Sequence, residues 1–305
     1  MLEGISWVLS NIGGAFANFF NAVANPGLWL DWSNKEAIAR FVYYGGSIEF
    51  FFVVFTGFLI LTIIGMFRQA VMWRMVRVLE GFANGIGRFF AWFGLLMVLQ
   101  QIVIIFLQRI FRVASIEIGP FAPFGYPLLP GPSFMRDLSW WSEELKLYNA
   151  IIVCLCMTYT FVQGGHVRVD LLYSNVSFRT KKVIDMIGAV LFMMGSAVLT
   201  WLYAWYFMWR SLITPKVSAT DKLDQLLLKS KIIKWNVETI AFSPNGFDAY
   251  FLFKLLMVAF AGLVFIHAWA FLWRSWAEFR EGPSAEGKYL DRDPPGDSTH
   301  ELQTH

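Results

Sequence analysis

The chain has 305 residues, of which 57% are hydrophobic, 18% aromatic and only 15% charged, with a net charge of +3. A soluble domain of this size carries about 25% charged residues, and each charge at the centre of a membrane helix costs roughly 2.5 to 3.5 kcal/mol. The composition therefore excludes an ordinary soluble domain, and a charge of +3 is too small to argue for nucleic acid.

The expected fold class is an all-α integral membrane protein with about five transmembrane helices and amphipathic interfacial helices. At the N-terminus, Ile5, Val8, Leu9, Ile12, Phe16, Phe19, Phe20 and Val23 repeat at helical spacing, with Asn, Ser and Gly opposite. This helix carries no Lys or Arg, so anionic lipid cannot anchor it electrostatically; it could lie in the interface or against a partner. The first thirty residues lack a basic leading region, so no cleavable signal peptide is expected. A first span is predicted at 50–67. It precedes a second amphipathic stretch, in which Met72, Met75, Val76, Leu79, Phe82 and Ile86 form one face and Arg68, Arg74, Arg77 and Arg88 decorate the rest. That pattern reads as a basic helix lying on the cytoplasmic surface. A second span is predicted at 89–107.

The segment 117–142 holds Pro120, Pro123, Pro127, Pro130 and Pro132, which forbid helix and favour an extended path, and Trp140 and Trp141 mark re-entry at the interface. Further spans are predicted at 145–163, 183–209 and 249–273, each near the 20 apolar residues a bilayer requires. The polar chain beyond Gly282 reads as a disordered tail.

If the basic stretch 68–88 is cytoplasmic, then 164–182 and 274–305 lie inside, and the N-terminus, 108–144 and 210–246 lie outside. Lys and Arg then number twelve inside and eleven outside, a weak bias that rests mainly on the helix at 68–88.

Little here suggests catalysis. Cys154 and Cys156 point away from each other on a helix, so they cannot bridge. Of the four histidines only His267 falls inside a span, and one histidine cannot make a two-histidine haem site. The string GPSAEGKY at 282–289 approaches a phosphate-binding loop, but Tyr289 stands where the magnesium-binding hydroxyl belongs and no strand precedes it. No enzymatic activity, cofactor or metal is expected.

Among polar residues within the spans, Gln100 and Gln101 could bond across a helix interface. Asp185 sits near the start of its helix, where the dipole favours a carboxylate. Lys254 lies below the outer end of the last span, on the side where Glu143 and Glu144 begin another. Pairing with these glutamates and snorkelling to the interface are equally open.

The most distinctive string is QGGHVRVD, residues 163–170, at the edge of an apolar span. Gly164 and Gly165 can adopt the left-handed conformation that stops a helix. His166 and Arg168 then stand by a helix C-terminus, Asp170 can cap the turn that follows, and Ser177 can cap the next helix.

This passage also carries a family resemblance. Residues 143–192, EELKLYNAIIVCLCMTYTFVQGGHVRVDLLYSNVSFRTKKVIDMIGAVLF, resemble the small membrane subunit of tripartite ATP-independent periplasmic (TRAP) transporters, the DctQ-like family. The points of likeness are a glutamate opening the second core helix (Glu143 or Glu144), the small-residue break, and the string His166, Val167, Arg168, Val169 and Asp170. The turn Ser177, Arg179, Lys181 and Lys182, followed by Asp185, completes them. The resemblance extends more weakly over about 76–276. It implies a non-catalytic subunit of the bacterial inner membrane, with a cytoplasmic C-terminus. Its partners would be membrane lipid, a large multi-span transport subunit and a periplasmic substrate-binding protein, in sodium-coupled uptake of an organic acid. It divides the chain into an N-terminal extension (1–75), a four-span core (76–276) and a polar cytoplasmic tail (277–305). The competing reading is a membrane anchor or assembly subunit of a redox or oxygenase complex.

Overall fold

The computed structural model describes residues 2–118, 134–164, 176–241 and 243–293. Among the described residues, five helices are long and apolar enough to cross a membrane: Ile48–Phe67, Gln69–Ile110, Leu138–Gln163, Phe178–Leu212 and Phe251–Glu281. The expected all-α membrane architecture and its five crossings hold.

The N-terminal region contains α1 (Leu2–Ala24), α2 (Gly27–Leu30), α3 (Lys35–Gly45) and α4 (Ile48–Phe67). Between α3 and α4 the backbone breaks at Gly46 and Ser47, although the sequence around the break stays largely apolar. Ser47 restarts the helix by accepting the Phe50 N–H at 3.2 Å. The last carbonyls of a helix have no partner within it and need donors from elsewhere. Here Trp205 Nε1 donates to Val42 O at 2.8 Å and Trp201 Nε1 to Gly45 O at 2.7 Å. A side chain at Gly45 would collide with the Trp205 ring, so the close approach requires glycine.

Helix α5 (Gln69–Ile105) continues through a π-turn, Phe106–Ile110. The basic stretch at 68–88 and the span at 89–107 are thus one helix of 42 residues, about 63 Å long at 1.5 Å per residue. This corrects the expectation of a separate helix lying on the surface. The apolar face at Met72, Val76 and Ala83 packs on protein rather than lipid headgroups, and no proline interrupts the run.

Strands β1 (Ser115–Ile118) and β2 (Phe134–Asp137) pair antiparallel around the proline-rich segment, of which 119–133 falls outside the described residues. Helix α6 (Leu138–Gln163) then begins before Trp140 and Trp141, earlier than the sequence suggests. Helix α7 (Phe178–Gly188) runs through a π-turn at Ala189–Met194 into α8 (Gly195–Leu212). Ser177 caps α7 as expected, accepting from Thr180 N at 3.4 Å.

Beyond α8, β3 (Ile213–Thr214) and β4 (Lys234–Trp235) enclose α9 (Leu223–Ser230). Their core, Ile213, Val217, Leu226 and Ile233, joins Ile38 and Val42 of α3 and Trp209 of α8. The last helix, α10 (Phe251–Glu281), packs against α5, α6, α7 and α8. At its C-terminal half, Trp269, Trp273 and Ala277 meet Met72, Trp73 and Val76 of α5, with Phe55 and Phe58 of α4 alongside.

Candidate functional site

Two polar assemblies mark the two ends of the bundle. At the end where α10 starts, Lys254 is buried and its Nζ lies 2.5 Å from Glu238 Oε2. The ammonium also stands 4.3 Å from the centroid of the Phe207 ring, a favourable cation–π placement. Glu238 reaches this point because its N–H bonds to Ser211 O at 2.8 Å, which folds the segment after β4 back along α8.

The proposed pairing of Lys254 with Glu143 or Glu144 is therefore corrected. Glu143 Oε2 accepts the Phe247 N–H at 3.0 Å. A side chain at Gly246 would occupy the position of that carboxylate. Glu144 accepts from Gln100 Nε2 at 3.1 Å and from the Tyr148 hydroxyl at 3.3 Å, which ties α6 to α5. Gln100 thus bonds across a helix interface as its position suggests.

The opposite end, where α6 and α10 finish, holds a buried charge network. The Arg274 guanidinium grips both oxygens of Glu80 at 2.5 Å, a bidentate pairing between α10 and α5. Its Nη1 also donates to Glu278 Oε1 at 3.3 Å and to Lys288 O at 3.1 Å. Lys182 of α7 places Nζ 2.6 Å from Glu278 Oε2 and 4.0 Å from Asp185. Glu80, Arg274, Glu278 and Lys182 are all buried. Two cations and two anions balance, as buried charge requires.

Chemical signals for this network exist in the sequence, though they are faint. Arg274 and Glu278 stand four residues apart on one helix face. Glu80 is the one acid in a stretch of four arginines, and it lies beside the apolar positions of α5 rather than with the arginines.

Residues 282–293 do not trail away. They turn at Gly282 and at a 3₁₀ segment, Pro283–Ala285, then cross the middle of α5 and the C-terminal end of α6. Arg88 holds Asp291 at 2.9 Å and Asp293 at 2.6 Å. Tyr159 donates its hydroxyl to Asp293, and Asn84 and Gln163 donate to Asp291 O at 2.8 and 3.0 Å. The hydrogen bonds from the Arg88 guanidinium hold both aspartates below the usual carboxylate range, helped by Asn84 at Asp291 and by Tyr159 at Asp293.

Gly164 ends α6 with φ +74°, the left-handed stop expected of it, and its N–H bonds to Phe161 O at 3.2 Å. Gly165, His166, Arg168 and Asp170 lie outside the described residues. Asp185 sits in the third turn of α7, beside Lys182 and beyond the first turn where the dipole favours a carboxylate. Among the described residues no three His, Cys, Asp or Glu side chains converge as a metal site. The buried His267 ring stacks on Phe161 at 5.6 Å.

What these groups do is hold helices together. The chain is a multi-pass α-helical membrane protein whose buried charges join α5, α7, α10 and the C-terminal segment at one end of the bundle. Residues 133–228 match the family model described as tripartite ATP-independent periplasmic transporters, DctQ component, and over that stretch the chain is similar to that component. The match takes in α6, α7, α8 and most of α9. No curated protein and no solved structure matches.

Proposed function

We propose that this protein is the non-catalytic small membrane subunit of a TRAP-type secondary transporter. In this reading it braces a large multi-span subunit that takes up an organic acid with sodium, fed by a periplasmic binding protein. The carrying observation is the DctQ match over 133–228, which coincides with the helices fixed by Lys182 and Glu144. Interlocking its own helices through buried charge suits a static brace better than a moving carrier, because each buried pair resists rearrangement.

The reading sets the Arg274 end in the cytoplasm and the Lys254 end in the periplasm, with the N-terminus outside. His166, Arg168 and Asp170 then fall at the cytoplasmic rim, where they anchor α6 to α7 and touch the large subunit. The extension α1 to α4 widens the contact with that subunit or with the binding protein.

The test is affinity capture of the tagged chain from native membranes in mild detergent, followed by mass spectrometry. A stoichiometric second membrane protein with many spans is the expected result. Co-purification of a redox or oxygenase subunit instead would refute the proposal.

A further inference from the structure

At the break between α3 and α4, the bundle contains a hollow of about 270 Å³, bounded by α4, α8 and α10. The small residues Gly45, Ala197, Ala261 and Gly262 line it together with Phe50, Trp201 and Phe265. For scale, an apolar cavity of about 150 Å³ accommodates a benzene ring.

Three features define what can fill it. The polar atoms at its rim are already engaged: Ser47 Oγ donates to Tyr44 O at 2.8 Å and accepts from Phe50 N, and Trp201 Nε1 donates to Gly45 O. The walls are otherwise carbon, so water or a polar ligand would find no partners there. The lining positions Ala261, Gly262, Phe265 and Ile266 fall at the middle of the 31-residue α10. On α4 the lining runs from Ser47 and Phe50, at the start of the span, to Phe58 at its middle, and Phe50, 41% exposed, and Leu202, 36% exposed, leave the hollow partly open on helices long enough to span a bilayer. Half of a bilayer core is about 15 Å deep. A phospholipid with its headgroup at the surface delivers the end of an acyl chain, and not the headgroup, to that depth.

The geometry points to a phospholipid acyl-chain site: one chain from the bilayer inserts between α4, α8 and α10 and fills the hollow beneath the helix break. Nothing in this inference depends on the transporter reading; it requires only that the five helices cross a membrane.

The test uses the full chain with its co-purifying partners, in vesicles of phosphatidylethanolamine and phosphatidylglycerol. A small fraction of the lipid carries a diazirine midway along one acyl chain. After illumination, mass spectrometry locates the cross-links. The expected result is enrichment at Phe50, Trp201 and Phe265 over the exposed Leu95 and Leu99 of α5. Val198→Phe and Val54→Phe fill the hollow from opposite walls. Each should lower labelling of its lining about tenfold relative to Leu95 and Leu99, a loss of about 1.4 kcal/mol in occupancy. The wild-type pattern is informative even if one variant fails to fold. Labelling of the lining no stronger than at Leu95, or unchanged in a folded filled variant, overturns the site. Labelling that appears only after co-purifying protein is stripped away also overturns it, because a protein side chain then holds the hollow.

Discussion

Arg274 shows how a single residue can set the register of several helices. Its guanidinium faces both oxygens of Glu80, one of Glu278 and the carbonyl of Lys288, so one planar group fixes α5, α10 and the C-terminal segment. Lysine cannot make the bidentate grip, since it offers a single ammonium. Arg274→Met removes the cation that grips Glu80 and leaves Lys182 as the cation on Glu278, and removing one partner from a buried network costs about 3–5 kcal/mol. The expected outcome is a large fall in the thermal midpoint of the detergent-solubilised protein, with Arg274→Lys recovering only part of it. Glu80→Leu combined with Arg274→Met leaves the Lys182–Glu278 pair balanced. The double variant should therefore melt above the Arg274→Met single variant, a non-additivity that contacting groups show. Equal melting of the single and double variants would mean that Glu80 and Arg274 are not coupled.

Among the elements, the spans were legible because lipid imposes a simple rule of about 20 apolar residues, and all five appear near their predicted positions. The helix stop at Gly164 and the Ser177 cap were legible for the same local reason: one residue type carries the backbone geometry. Partnerships were not. Lys254 pairs with Glu238 because β4 and the chain beyond it return along α8, and no local pattern encodes that return. The stretch 68–88 looked like a surface helix because its arginines dominate the pattern, whereas its apolar face is covered by α10. The segment 282–293 was hidden by its polar composition, since its order comes from Arg88, Asn84, Tyr159 and Gln163 on other elements. That origin makes its docking pH-dependent. With Asp291 and Asp293 held below the ordinary carboxylate range when docked, their contribution is complete above the ordinary aspartate value of about 3.9. It disappears as pH falls through the depressed values. A nitroxide at Arg292→Cys, with Cys154 and Cys156 replaced by alanine, should stay immobile from neutral pH down to about 4 and loosen below that. Arg88→Gln should loosen it at every pH, and a signal indifferent to both changes would refute the clamp.

For the whole molecule, the N-terminal region is not a single appendage. Packing crosses the sequence boundary at residue 75: Ile38 and Val42 share a core with Trp209 and Leu226, and Thr62 accepts from Trp273 Nε1 at 2.7 Å. Removing all of 1–67 would therefore expose the Trp269–Trp273 cluster and damage the bundle, which makes that deletion a poor probe of partner contact. Helix α1 is different. It touches α4 through Trp7 and Phe52, ring centroids 5.4 Å apart, and buries Ala15, while Ile5, Leu9, Phe16, Phe19, Phe20 and Val23 stay exposed. A helix that contributes so little to either core can be removed without opening it. Deletion of residues 1–24 should leave the thermal midpoint of the isolated chain within a few degrees, in keeping with the small effect of losing peripheral contacts. If α1 covers a partner, the same deletion should reduce recovery of the large subunit in affinity capture. If α1 lies only in lipid, recovery should be unchanged, and the proposed widening of the subunit contact would be wrong for this helix. Stability and capture thus report on different surfaces, and only a loss of capture at unchanged stability assigns α1 to assembly.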